Sequence, residues 1–311
     1  MTGAERLDAG DGRSVAKAHS VVERGGATAE ALLRELHGRL GRAHTIGITG
    51  APAVGKSTLV ERLGVELLGA GESVAVLAVD PSSPFSGGAL LGDRIRMPEL
   101  VARGGFVRSM ATRGVLGGLA ASASDAVDVL DAAGFTWVMV ETVGVGQDEV
   151  EVAGEVETVV LVTTAALGDD VQAAKAGVME IGQVFAVNQA DLPGYEGQLA
   201  AIEAMLAMAP ARDWRPPVLA VSALEGTGVT ELADAIRRHQ TFLDAGARRH
   251  ELRRRRARRR IERVLNALVL ERLTDDGDAS YDTLLAEVEG GALDPYTAAR
   301  SLLGRSLEND R

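Results

Sequence analysis

Gly50-Ala51-Pro52-Ala53-Val54-Gly55-Lys56-Ser57-Thr58 decides how the rest of this 311-residue chain is read. Two glycines stand four residues apart and are followed by Lys and Ser, the phosphate-loop pattern. Upstream, His44 to Thr49 carries Ile46 and Ile48 and reads as a buried strand. Downstream, Leu59, Val60, Leu63, Leu67 and Leu68 share one helical face. Strand, loop and helix in that order are the context the motif needs. Glycine lets backbone N–H groups curl around an anion, and the helix points its partial positive end at the same place. In this reading Lys56 reaches the β- and γ-phosphates and Ser57 holds a magnesium ion. Ala53 stands where glycine is common, which is tolerable if its φ is negative.

Outward from the loop, strands and helices alternate from His44 to about Phe242. Strands are expected at Ser73–Val79, Phe106–Val107, Trp137–Val140, Thr158–Val162, Val184–Val187 and Val218–Val221. Helices are expected at Arg94–Arg103, Leu119–Ala133, Val171–Ile181 and Gln198–Met208. Near-continuous apolar strands with helices between them predict a doubly wound, mostly parallel α/β sheet covered on both faces. Ligands of such sheets sit beyond the carboxyl ends of the strands, and Asp80, Glu141, Asn188 and Ser222 lie at or just past such ends. Before the sheet, residues 1–43 form an N-terminal extension, weakly ordered at first and then two helical patterns divided at Gly25-Gly26. After it, residues 243–311 hold three helical stretches with no recognisable chemistry, which leaves 44–242 as the domain built around the phosphate loop.

Asn188-Gln189-Ala190-Asp191 follows an apolar strand in the place where GTPases carry Asn-Lys-x-Asp. There the Asp carboxylate accepts from guanine N1–H and the 2-amino group, donors that adenine lacks. A site built on such bonds rejects the wrong base strongly, because it leaves a buried carboxylate unpaired. Gln189 is shorter than lysine and uncharged, so its cover of the base is weaker. Ser222-Ala223-Leu224 follows the next strand, where a backbone N–H meets guanine O6. Glu141 with Gly144 fits a magnesium-side acid and a γ-phosphate sensor. Asp80 and Asp93 are candidate outer magnesium partners, Asp93 equally a helix cap. Arg108, Arg113, Gln147 and Lys175 are the polar residues placed to meet transition-state charge or to orient water.

Composition narrows the classes. Apolar residues make 46% and aromatics 3%, so the core is aliphatic and no base-stacking platform is available. Net charge is −11 and there is no cysteine, which excludes disulfides and thiolate metal sites. Neither a leader nor a spanning segment is read from the sequence, so a cytoplasmic protein with no membrane and no nucleic-acid partner is expected. Ten arginines lie between Arg248 and Arg263, beside an apolar stripe that includes Leu252, Ile261, Val264, Leu265 and Leu268. That helix reads as a protein or subunit contact. The five histidines show no metal-ligand spacing.

Taken together, the phosphate loop, Val-Asp-Pro-Ser-Ser at 79 to 83, Gly-Asp-Arg-Ile-Arg-Met at 92 to 97, Arg-Ser-Met-Ala-Thr-Arg-Gly at 108 to 114, Glu-Thr-Val-Gly-Val-Gly-Gln at 141 to 147 and Gly-Asp-Asp-Val-Gln at 168 to 172 resemble the ArgK/MeaB family of P-loop GTPases. The likeness runs from about Gly12 to Leu303. It implies a P-loop fold of the SIMIBI class with a C-terminal helical dimerisation appendage. It implies GTP hydrolysis in support of an adenosylcobalamin-dependent acyl-CoA mutase, in loading, protecting or reactivating the cofactor. Ser57, Asp80, Asp93 and Glu141 would then surround magnesium, and Gly168 to Lys175 would form a switch. Departures from the family pattern are Ala53, Gln189 and the turn at Thr163–Leu167. Two alternatives remain at this stage: a nucleotide-dependent scaffold with little hydrolysis, and an ATPase or kinase linked to basic amino-acid transport.

Overall fold

The computed structural model describes residues 7–80, 97–111, 118–142, 154–165, 181–210, 212–274 and 279–308. They fall into two compact units, Met1–Arg256 and Ala257–Arg311.

The first unit is built on a parallel sheet of seven strands: β1 (His44–Thr49), β2 (Val74–Asp80), β3 (Phe106–Ala111), β4 (Trp137–Thr142), β5 (Thr158–Thr164), β6 (Val184–Asn188) and β7 (Val218–Ala220). Their spatial order is β3-β2-β4-β1-β5-β6-β7, every neighbouring pair being parallel. Every residue of β1 and β4 is buried, as unbroken apolar runs require when both sheet faces are covered. Alternate residues serve opposite faces. Val74, Val76, Trp137 and Met139 face one core, together with Leu59, Leu63 and Leu67 of α3 (Lys56–Gly69). Ala75, Leu77, Val138 and Val140 face the other, with Val127 and Leu130 of a helix at Gly118–Ala133.

The N-terminal helices α1 (Gly12–Arg24) and α2 (Gly26–Leu36) join this second layer, putting Val15, Val22 and Leu36 into the same cluster. The helix after α3 is α4 (Pro98–Ala102), the helix at Gly118–Ala133 is α5, and α6 is Tyr195–Met208. Next, α7 (Val229–Asp244) adds Leu232 and Ile236 to the first layer. Then α8 (Arg248–Thr274) runs across the boundary between units, and α9 (Ala279–Glu289) packs against α10 (Pro295–Glu308) within the second unit. Two expectations change. β3 is six residues long where the sequence suggests two, because Arg108 and Ser109 are polar positions buried by neighbouring structure. The helix expected at Arg94–Arg103 is described only as the five-residue α4, and the helix expected at Val171–Ile181 lies outside the described residues but for Ile181.

Because the sheet grows from β1 toward β4 and β2 on one side and toward β5, β6 and β7 on the other, β1 is the topological switch point. The loop after it opens at the strands' carboxyl rim, the usual ligand position in such sheets.

Candidate nucleotide site

Two glycines shape the loop between β1 and α3. Gly50 has φ +143, and a Cβ there would lie 2.0 Å from the Val162 carbonyl oxygen of β5. Gly55 has φ +83, and a Cβ there would lie 2.5 Å from Asn188 Nδ2. Only glycine allows the loop to lie this close to the neighbouring strand and to the Asn188 corner. Ala53 corrects the sequence reading: its φ is +64, in the left-handed region, so the loop imposes a conformation that alanine adopts at a cost. Pro52, Ala53 and Thr58 are exposed, whereas Val54 is buried.

Lys56 opens α3 and is only 7% exposed. Its Nζ donates to the carbonyls of Gly50 (2.7 Å) and Ala51 (2.8 Å), so the ammonium lies back along the loop. Ser57 Oγ donates to Glu141 Oε1 at 2.5 Å, joining α3 to the end of β4. Beneath them Thr142 Oγ1 donates to Thr49 Oγ1 at 3.1 Å. Ser57 and Glu141 together form a pair of hard oxygen donors of the kind magnesium prefers. Asp80 ends β2 at the same rim, and only its backbone is described. Among the described residues no group of three or more His, Cys, Asp or Glu side chains could hold a metal. The donor set at this corner is instead a hydroxyl and a carboxylate. Asp93, Arg113, Gly144, Gln147 and Lys175 lie outside the described residues.

Asn188 joins the loop after β1 to the loop after β7. Its Nδ2 donates to Val54 O (2.8 Å), and its Oδ1 accepts from Ala223 N (3.0 Å). Of the backbone N–H groups in the Ser222–Leu224 run, that of Ala223 is therefore already engaged, and a keto oxygen would have to share it. Ser222 Oγ donates to Asp191 Oδ1 at 2.5 Å, which fixes the carboxylate's orientation. Ser222 and Ala223 are buried, and Leu224 is exposed. Gln189 has φ +61 and accepts at Oε1 from Thr164 Oγ1 (2.9 Å).

Several of these partners escape sequence reasoning. Thr164 follows an apolar run and carries no motif. Arg62, inside α3, donates to Ala223 O (3.2 Å) and pairs with Glu99 (3.0 Å), so it braces the Ser222–Leu224 loop from below. Thr142 lies inside the Glu141–Gln147 run, but its bond to Thr49 has no local signal. Arg108 is a correction in the other direction. Its NH2 group bonds Glu23 Oε2 (2.9 Å) and Ser20 Oγ (3.2 Å) of α1, so it fastens the N-terminal helix to the sheet edge rather than facing a phosphate.

The opposite, amino end of the sheet holds a second polar cluster. His44 Nδ1 lies 2.9 Å from Glu157 Oε2, and Thr158 Oγ1 lies 2.8 Å from His44 Nε2 and 2.7 Å from His239 Nδ1. Two of the histidines that look scattered in sequence thus share one buried chain. Burial pushes the Glu157 carboxyl up, but the hydrogen bond and charge of His44 and the guanidinium groups of Arg249 and Arg256 outweigh it and leave it below the usual range. Burial, helped by the charges of His44 and Arg249 and opposed by Glu157, lowers His239 to about 4. The start of the arginine run therefore packs onto the domain itself. Arg249 also pairs with Asp244 (2.8 Å), Arg253 donates to Gly41 O (2.7 Å), and the Arg248 guanidinium sits 4.4 Å over the Phe242 ring.

A family model described as methylmalonyl Co-A mutase-associated GTPase MeaB matches residues 13–278. The chain belongs to the MeaB family. A Pyrococcus horikoshii protein whose name carries the word GTPase is 42% identical over 306 residues, covering 96% of each chain. The GTPase ArgK of Escherichia coli is 36% identical over 309 residues, 96% of this chain and 93% of that one. A solved structure titled as an LAO/AO transport system kinase superposes with a TM-score of 0.73 at 30% identity, over 98% of this chain and 96% of that one. The MeaB-family match and the seven-stranded parallel sheet agree on a P-loop GTPase fold.

Proposed function

We propose that this MeaB-family chain binds and hydrolyses GTP with magnesium, and does so as a chaperone to an adenosylcobalamin-dependent acyl-CoA mutase. The observation that carries the nucleotide part is the Asn188 clamp. One side chain holds the phosphate loop at Val54 and the base-side loop at Ala223, so the two halves of a nucleotide site are built as one piece. Asp191, oriented by Ser222, accepts from the N1–H and 2-amino group of guanine. The backbone N–H groups of the Gly50–Ser57 loop, Pro52 excepted, and Lys56 take the phosphates, with Lys56 exchanging loop carbonyls for phosphate oxygens. Ser57 and Glu141 would hold magnesium, with Asp80 and Asp93 as candidate outer partners. Magnesium, when bound, supplies positive charge to the phosphate oxygens. Gly144 meets the γ-phosphate, and Gln147 and Lys175 are assigned to water and transition-state charge.

The mutase part rests on the family description and on a mouse relative named methylmalonic aciduria type A homolog, mitochondrial, which is 38% identical over 201 residues, 63% of this chain and 48% of that one. The homodimer part rests on α8, where Ile261, Val264, Leu265 and Leu268 are about half exposed or more, an apolar stripe that a second copy would cover.

Fluorescent-nucleotide titration tests the reading. GDP and GTP should bind far more tightly than ADP and ATP, and Asp191→Asn should move the preference toward xanthine nucleotides. Added acyl-CoA mutase should raise GTP turnover. Tighter binding of ATP than GTP, or turnover indifferent to the mutase, would overturn the corresponding half of the proposal.

A further inference from the structure

We propose that Thr164 is a positioning residue for base recognition: its hydroxyl tethers the Gln189 amide as a rigid plate over the purine. The inference rests on reading the Asn188–Asp191 corner as the guanine site. It adds a residue to that site which no motif contains.

Thr164 closes β5, and its Cα stands opposite Asn188 in the parallel register with β6. Its side chain is turned inward and 4% exposed. From there Oγ1 donates to Gln189 Oε1 at 2.9 Å. The preceding residue is braced as well, since Gln198 Nε2 donates to Thr163 Oγ1 at 3.1 Å. On the other side of the bond, Gln189 holds φ +61, which glutamine takes only when its surroundings impose it. Two backbone bonds hold that turn: Ala190 N to Val221 O (3.1 Å) and Leu192 N to Gln189 O (2.9 Å). The backbone aims the side chain, and the Thr164 hydroxyl fixes its far end.

The chemistry follows from what glutamine lacks. A lysine at this position covers the base with four methylenes and carries a charge. Glutamine has two methylenes and a neutral amide, and untethered it would lose more rotamer freedom on binding than its short contact returns. Bonding Oε1 to Thr164 removes that freedom beforehand. It also commits the amide's NH2 as its donor edge and its flat face as the surface offered to a ring. The same device holds the next recognition side chain, since Ser222 Oγ orients Asp191 at 2.5 Å. Two hydroxyls, one at the end of β5 and one just past the end of β7, thus brace the two side chains that read the base.

The test is a double-mutant cycle on the full chain, read as the GDP dissociation constant from a fluorescent analogue with the melting temperature measured alongside. Thr164→Val should weaken GDP about fivefold, the cost of one hydrogen bond between neutral groups. Thr164→Ala should do the same, and Thr164→Ser, which keeps the hydroxyl, should bind as the parent does. In a Gln189→Ala or Gln189→Lys background, Thr164→Val should change GDP affinity no further. An unchanged dissociation constant in Thr164→Val and Thr164→Ala, or an equal loss in the Gln189→Ala background, would overturn the tether. A parent protein that binds ADP as well as GDP would instead remove the guanine reading beneath it, and the tether with it.

Discussion

The Ser57 hydroxyl donates to Glu141 Oε1 across 2.5 Å, linking the first turn of α3 to the end of β4 over 84 residues of chain. A hydroxyl donating to a carboxylate makes one of the stronger hydrogen bonds, and in the proposed reading these two oxygens belong to the metal side of the site. Glu141→Gln keeps the shape and removes the charge. It should lower GTP turnover on the order of a hundredfold while GDP affinity falls by much less. Single-turnover hydrolysis beside GDP titration separates the two, and a variant that turns over normally would remove Glu141 from the site.

Ala53 at φ +64 gives a prediction about stability. Left-handed backbone costs an alanine roughly 1 kcal/mol, and glycine pays nothing for it. Glycine also gains freedom in the unfolded chain, which offsets part of the benefit. Ala53→Gly should therefore stabilise the protein by about 0.5 kcal/mol, a small rise in the urea midpoint with an unchanged slope. A lowered midpoint would show that the loop does not impose this conformation.

Acid sensitivity follows from two buried histidines. His19 is fully buried, and neither ring nitrogen has a hydrogen-bond partner among the described residues. Burial first, and the nearby Arg108 charge second, lower it from 6.5 to about 3. His239 falls to about 4, again chiefly by burial. The unfolded chain takes up these protons near pH 6.5 and the folded one resists, so stability is full above that pH and falls as pH drops toward 4. Urea unfolding between pH 7 and pH 4 should show a slope approaching two protons. His19→Leu should remove about one of them and be more stable than the parent at pH 5. A slope unaltered by that change would mean that His19 titrates normally.

How much could be read in advance differs from place to place. Gly50–Ser57 is a contiguous motif whose function depends on its own backbone, so its position between strand and helix was legible residue by residue. Continuous apolar runs such as Trp137–Val140 announced buried parallel strands for the same local reason. Arg108 misled, because a polar residue next to a recognisable motif looks functional until the helix that covers it is known, and that helix lies 85 residues away at Glu23. The Ala53 position was flagged in the sequence as one where glycine is common, but the sign of its φ was not legible there.

The sequence by itself marked which loops are the candidates for phosphate, metal-side and base-reading chemistry, because each is a short run whose residue types and spacing are local properties of the chain. Only the tertiary structure decided what holds those loops in place: Asn188 between Val54 and Ala223, Thr164 behind Gln189, and Glu157 and His44 gripping the start of the arginine helix. These are hydrogen bonds and ion pairs between residues far apart in sequence. Their existence depends on strand order and register, which bring the partners within about 3 to 4 Å and leave no trace in the local pattern of either one.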